Sequence, residues 1–165
     1  MRLLRDLFHK VTAVVHVEPR LYDVKRLRPD LDILLSNQAL MLDVAVTHPG
    51  APSRKSPKPL AAATDMEHTK NREYRTWAAE RGRKFLPFVL ESHGAFGKAA
   101  EEVLKTLTKA ATTEATSLGM SPKEFSALAR KALSAALQRG NGLVAKMGAL
   151  QARATHAAIE RAGPA

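Results

Sequence analysis

Three residues combine a reactive type with a suggestive spacing: Asp30, Asp43 and Lys70. Residues 30–35 and 39–47 are rich in Leu, Ile and Val, and Ser36, Asn37 and Gln38 between them form turns, which reads as a β-hairpin. With a two-residue loop at Ser36 and Asn37, residue 35 faces 38 and Asp30 faces Asp43. Period-two alternation then puts Asp30, Asp32, Asp43 and Ala45 on one face, and Leu31, Ile33, Leu42, Val44 and Val46 on the other. Carboxylates opposed in this way repel and lose solvation unless a cation or a proton is shared between them. A hard ion such as Mg²⁺, or Mn²⁺ in its place, meets that need. The plainer reading makes Asp30 a turn cap and leaves Asp43 on a solvated face.

The element that must position Lys70 is a helix expected from about Leu60 to Arg81. On its projection Lys70 falls among Ala63, Met66, Tyr74 and Trp77, the stripe that should face the sheet. A Lys in such a stripe either snorkels to the rim or points its ammonium at the two carboxylates, where a metal, water and phosphate site would be complete. Trp77, Tyr74 and Phe96 read as core residues.

Around these lie the supporting elements. Leu3, Leu4, Leu7, Phe8, Val11, Val14 and Val15 recur at helical spacing over 2–15, and a short strand follows near His16 to Glu18, stopped by Pro19. Residues 49–59 read as a surface loop with proline, glycine and basic residues. Phe85 to Leu90 reads as a strand covered on both faces, with Pro87 arguing against a central place in the sheet. A helix is expected over Phe96 to Thr113. A last one opens with the capping residues Ser121, Pro122 and Glu124, and a kink or break is expected at Gly140-Asn141-Gly142. The order is helix, three strands, helix, strand, two helices: an α/β fold with a helical C-terminal lobe.

Twenty-six Lys and Arg against sixteen Asp and Glu give a formal charge of +10, which makes nucleic acid the first partner to consider. Lys25, Arg26 and Arg28 before the hairpin, and Arg54, Lys55 and Lys58 in the loop, are placed for phosphate contacts; the plain alternative is solubilising charge. The absence of cysteine excludes disulfides, thiolate nucleophiles and Cys-ligated zinc. No apolar run reaches the length that spans a bilayer, so a soluble protein with no membrane partner is expected. Glu18 and Asp32 are weaker candidate ligands. Gly94 and Gly97 precede a helix N-terminus that could take a phosphate, or serve a turn and close packing; His48 and His93, at strand ends, could approach the site or be hydrogen-bonded loop residues.

Arg28-Pro29-Asp30, twelve residues, and then Asp43-Val44-Ala45-Val46 resemble the PD-(D/E)XK pattern of the restriction-like endonuclease domain at the C-terminus of site-specific LINE-type retrotransposon polyproteins. The resemblance also takes in Glu18-Pro19, DVAVTHP at 43–49, Lys70 with Tyr74, the run from Pro87 to Gly97, and Leu137 to Asn141. It implies a restriction-endonuclease-like core at 1–97 (helix, three-stranded antiparallel meander, helix, strand) with a helical extension over 98–165 packed on it. It further implies Asp30 and Asp43 as metal ligands, and Lys70 on the helix as the third catalytic residue in place of the position held here by Ala45. Glu73 stands where these domains carry a basic residue. The implied activity is Mg²⁺-dependent nicking of DNA, with RNA left open as a partner, no small-molecule cofactor and an intracellular setting, nuclear if the source is an active eukaryotic element. The alternative is a degenerate nucleic-acid-binding remnant. On either reading the chain is expected to be a fragment of such an element lacking the polymerase, or an independent descendant of one.

Overall fold

The computed structural model describes residues 1–11, 13–19, 27–50, 58–113 and 119–162, with side chains to 156 in the last stretch. Four strands make one sheet in the order β1-β2-β3-β4: β1 Val14–Val17, β2 Leu31–Leu35, β3 Gln38–Thr47 and β4 Lys84–Glu91. The helices are α1 Arg2–His9, α2 Ala61–Ala79, α3 Lys98–Thr113 and α4 Pro122–Ala162. This is the expected α/β order.

The β2-β3 hairpin pairs Leu35 with Gln38 and Leu31 with Leu42, the register that a Ser36-Asn37 turn dictates. β3 is ten residues long and β2 only five, so the far half of β3 runs past the end of β2. On its other edge β3 pairs with β4, in parallel, from Leu40↔Lys84 to Thr47↔Glu91. The parallel pair is joined by α2 as the crossover helix. Since β4 lies at the sheet edge, Pro87 removes no ladder hydrogen bond from a central strand.

Alternation along the strands builds two cores. Leu31, Ile33, Leu40, Leu42, Leu86, Phe88 and Leu90 face Leu4, Leu7 and Phe8 of α1, Val103, Leu104 and Leu107 of α3, and Phe125, Leu133 and Leu137 of α4. Each fully buried side chain of this size stabilises by about 1.5–3 kcal/mol relative to exposure. On the other face Met41 and Phe85 meet Tyr74, Trp77 and Ala78 of α2, with Tyr74 stacked on Phe85 at 5.1 Å between ring centroids. The sheet is thus sandwiched between α2 and a layer of α1, α3 and α4.

Two expectations are corrected. The N-terminal helix ends at His9 rather than running to Val15, because the β-branched Val14 and Val15 pair with Leu34 and Ile33 at the start of the sheet. No break occurs at Gly140-Asn141-Gly142: α4 is continuous from Pro122 to Ala162. Burial of Leu133 and Leu137 holds the preceding turns, and Asn141 Nδ2 donates to Ser92 O at 2.7 Å, which outweighs the helix cost of the two glycines. The start of α4 is the expected capping box, with Ser121 N donating to Glu124 Oε2 at 2.8 Å and Glu124 N to Ser121 Oγ at 3.3 Å. The described residues contain no helix long and apolar enough to cross a membrane.

Candidate functional site

Asp43 sits mid-strand in β3, between Leu42 and Val44, which turn to the large core; its own side chain therefore turns toward α2 and is buried. Asp30 lies at the bend one residue before β2, where the β2-β3 ladder stops. Its backbone carbonyl accepts from Glu18 N at 2.9 Å, continuing the β1-β2 pairing. Its carboxylate accepts the N–H of Val44 at 2.6 Å through Oδ2, taking the donor that the end of β2 leaves unpaired. The same register sets Asp30 across from Asp43.

Lys70 reaches this pair from the middle of α2. Its Nζ lies 2.8 Å from Asp43 Oδ2, with the Lys70 side chain 24% exposed and that of Asp43 9%. The contact is an ion pair by distance, yet Oδ2 is buried and accepts no well-aligned hydrogen bond. Lys70 Nζ also lies 5.7 Å from the centre of the Tyr74 ring, and the Tyr74 hydroxyl donates to Arg28 O at 3.4 Å, tying α2 to the segment ahead of Asp30.

The electrostatics follow from this crowding. Burial pushes the Asp30 carboxyl above the usual carboxylate range; the Val44 N–H opposes the shift, the Asp43 charge adds to it, Lys70 eases it and Glu18 adds a little. Burial works to lower the Lys70 amine, but contact with Asp43 and its charge prevail and hold the amine above the ordinary lysine value. The Tyr74 hydroxyl is raised by burial and then by the negative charge of Asp43.

Asp43 on β3, buried with an oxygen lacking an aligned donor, and Asp30 at the bend before β2, half-exposed with a raised pKa, are the carboxylates that could hold a hard divalent cation. Among the described residues no group of three or more His, Asp and Glu side chains converges as a metal cage. Mg²⁺ commonly keeps several waters and needs only one or two protein carboxylates, so the pair fits it better than it fits zinc.

The other expected residues fall as follows. Asp32 shares the Asp43 face but is held by Arg83, whose Nε donates at 2.9 Å, so its buried charge is balanced within the fold. Glu18 is exposed, with a left-handed φ of 44°; its backbone N–H holds the Asp30 carbonyl, and its side chain acts on the Asp30 carboxylate through charge. Arg28 and Lys58 are exposed, while Lys25, Arg26, Arg54 and Lys55 lie outside the described residues. Gly97 serves close packing: a side chain there would run into Glu67 Oε1 and Val89 O. Glu67 also takes the Ala99 N–H at 2.9 Å, so a carboxylate already occupies the start of α3.

One cluster was not expected. His48 Nδ1 and Ser92 Oγ are 2.6 Å apart, and the His48 and His93 rings meet edge to face at 5.2 Å. These residues follow Thr47 and Glu91, which are register partners in the parallel pair. Reading β3 and β4 as parallel neighbours in the sequence would have brought the two histidines together.

No protein-family model matches the chain. Over 101 residues it is 34% identical to the retrotransposable element SLACS 132 kDa protein of Trypanosoma brucei gambiense, a match covering 54% of this chain. The chain spans only 8% of that protein's length. The similarity supports a retrotransposon-derived origin for this α/β chain.

Proposed function

We propose that the chain is a restriction-endonuclease-like nuclease domain that hydrolyses DNA phosphodiester bonds with Mg²⁺ or Mn²⁺. The observation that carries the reading is the approach of the Lys70 ammonium to Asp43, across the hairpin from Asp30. Similarity to a retrotransposon protein and a formal charge of +10 agree with a nucleic-acid substrate.

In this reading Asp30 and Asp43 hold the metal, which when bound supplies positive charge to the phosphoryl group and acidifies a water. Asp30 must be deprotonated to do so, against the burial that raises its pKa. Lys70 stays protonated beside Asp43 and offsets the negative charge that develops on the phosphate oxygens. The Val44 N–H fixes the Asp30 carboxylate, so the ligand does not have to be ordered when substrate arrives. Arg28 and Lys58, with Lys25, Arg26, Arg54 and Lys55, contribute phosphate contacts that position the strand without reading its sequence.

The second reading is a nucleic-acid-binding remnant without turnover. It is favoured by the Asp43–Lys70 ion pair itself, which balances the buried carboxylate without any metal. Conversion of supercoiled plasmid to nicked circles separates the two. The nuclease reading requires nicking with Mg²⁺, none in EDTA and none from Asp43→Ala; DNA binding with no metal-dependent nicking by the wild type leaves the remnant.

A further inference from the structure

The second half of α4 has a surface that the nuclease reading does not use. Its buried residues Phe125, Ala129, Leu133 and Leu137 end one turn before Asn141, and every residue from 142 to 156 is exposed. Yet this stretch carries Leu143 at 61% exposure, Val144 at 73%, Met147 at 57% and Leu150 at 48%. An isolated helical stretch of this length is marginal in water, and large apolar side chains grouped on it mark a contact surface.

The spacing defines the geometry of that contact. Leu143, Met147, Leu150 and Ala154 recur at steps of four, three and four, the alternation of a helix-pairing seam. Arg139, Lys146 and Arg153 recur every seven residues along one side of the seam. No Asp or Glu occurs between Glu124 and Glu160, so every formal charge on this stretch is positive. At its inner end the seam meets an apolar groove of about 360 Å³ lined by Met1, Val46, Phe88, Leu90, Leu137 and Val144, with Val46 itself 52% exposed.

We infer that residues 139–154 of α4, with the adjoining groove, dock an acidic amphipathic helix of another protein. The apolar seam takes the partner's apolar face, the row of Arg139, Lys146 and Arg153 faces its carboxylates, and the groove takes an apolar anchor side chain. A second copy of this chain is disfavoured, because two such helices bring cations together with no carboxylate between Glu124 and Glu160 to pair them. Duplex DNA would satisfy the cations but leave Leu143, Met147 and Leu150 against polar phosphates.

The test uses the whole chain and a fluorescent 21-residue probe peptide with Leu at seam positions and Glu on both flanks, read by anisotropy; a Lys-flanked peptide of the same core is the control. The Glu peptide should bind at least tenfold more tightly than the Lys peptide. Met147→Ser with Leu150→Ser should weaken it at least tenfold while leaving circular dichroism and duplex DNA affinity unchanged. Lys146→Glu with Arg153→Glu should weaken the Glu peptide and improve the Lys peptide. Equal binding of both peptides, or a Ser double variant that binds like the wild type, overturns the proposal. So does a parallel loss of DNA affinity in the Ser variant, which would make nucleic acid the occupant, or a wild-type dimer in analytical ultracentrifugation that the Ser variant abolishes. Tighter binding to phosphatidylserine vesicles than to the Glu peptide would likewise overturn it in favour of a lipid surface.

Discussion

Lys70 Nζ stands 2.8 Å from Asp43 Oδ2, joining the centre of the crossover helix to the centre of the strand it crosses over from. A Lys in the apolar stripe of α2 is therefore neither a packing residue nor a solvated one; it balances a carboxylate that the strand alternation forces inward. Any function built at this site starts from that balance.

Removing the ammonium should expose the cost of the carboxylate. Lys70→Met keeps the apolar stem but leaves Asp43 buried without its counter-charge, and should destabilise the fold by about 1–3 kcal/mol, the range for a stranded buried polar group. Adding Asp43→Asn should recover much of the loss. Because the Lys70 pKa is raised, the stabilisation is fully present below the ordinary lysine range and is lost as pH rises through the raised value. Urea melts of the single and double variants across pH 7 to 11 check both points; a Lys70→Met protein as stable as the wild type at pH 7 would mean that Asp43 does not need the pair.

The Asp30 pKa is raised as well, but here the charged form is the one that burial disfavours. Its folded pKa is raised, so the folded state binds the proton more tightly than the unfolded chain, and stability falls as pH rises from the usual carboxylate range through the raised value. Asp30→Asn keeps an oxygen for the Val44 N–H and removes the charge, so its melting temperature at pH 7 should exceed that of the metal-free wild type. The advantage should vanish below the normal carboxylate pKa. Mg²⁺ should also narrow it by stabilising the wild type selectively. Thermal melts at pH 3 and pH 7, with and without Mg²⁺, would show an Asp30→Asn protein less stable at pH 7 if burial did not disfavour the charge.

The unbroken course of α4 makes a prediction about its glycines. At Gly140 and Gly142 an added Cβ meets nothing within 4 Å and neither has a left-handed backbone. Gly140→Ala and Gly142→Ala should each stabilise by about 0.4–1 kcal/mol through the unfolded chain's lost freedom. A loss of stability or of helical circular dichroism in the double variant would mean that the helix does break there.

The hairpin register was legible in the sequence, and the reason is local. Ser36-Asn37 sets the register, the register pairs Leu31 with Leu42, and alternation turns Asp43 away from the large core, whereas Asp30 lies one residue outside β2 with its carboxylate set by the Val44 N–H. Lys70 was legible as a charge out of place on a helix face. What could not be read depends on contacts between distant segments. Asp32 pairs with Arg83 across 51 positions, and Asn141 reaches Ser92 across 49; neither partner is marked by spacing. The end of α1 was misread because Val14 and Val15 satisfy helical and strand periodicities equally, and only pairing with β2 decides. The glycines of α4 were misread as a break because local propensity omits the Leu133 and Leu137 packing before them.

The most direct test of the site is the single-turnover nicking rate of supercoiled plasmid in Mg²⁺ for the wild type and Lys70→Met, with DNA affinity measured alongside. A nuclease built on Asp30, Asp43 and Lys70 should nick only with the metal, and Lys70→Met should slow nicking by about 10²-fold or more at unchanged DNA affinity, the scale of losing one electrostatic stabiliser. Folded wild type that binds DNA but nicks no faster in Mg²⁺ than in EDTA, or Lys70→Met that nicks at the wild-type rate, would contradict it.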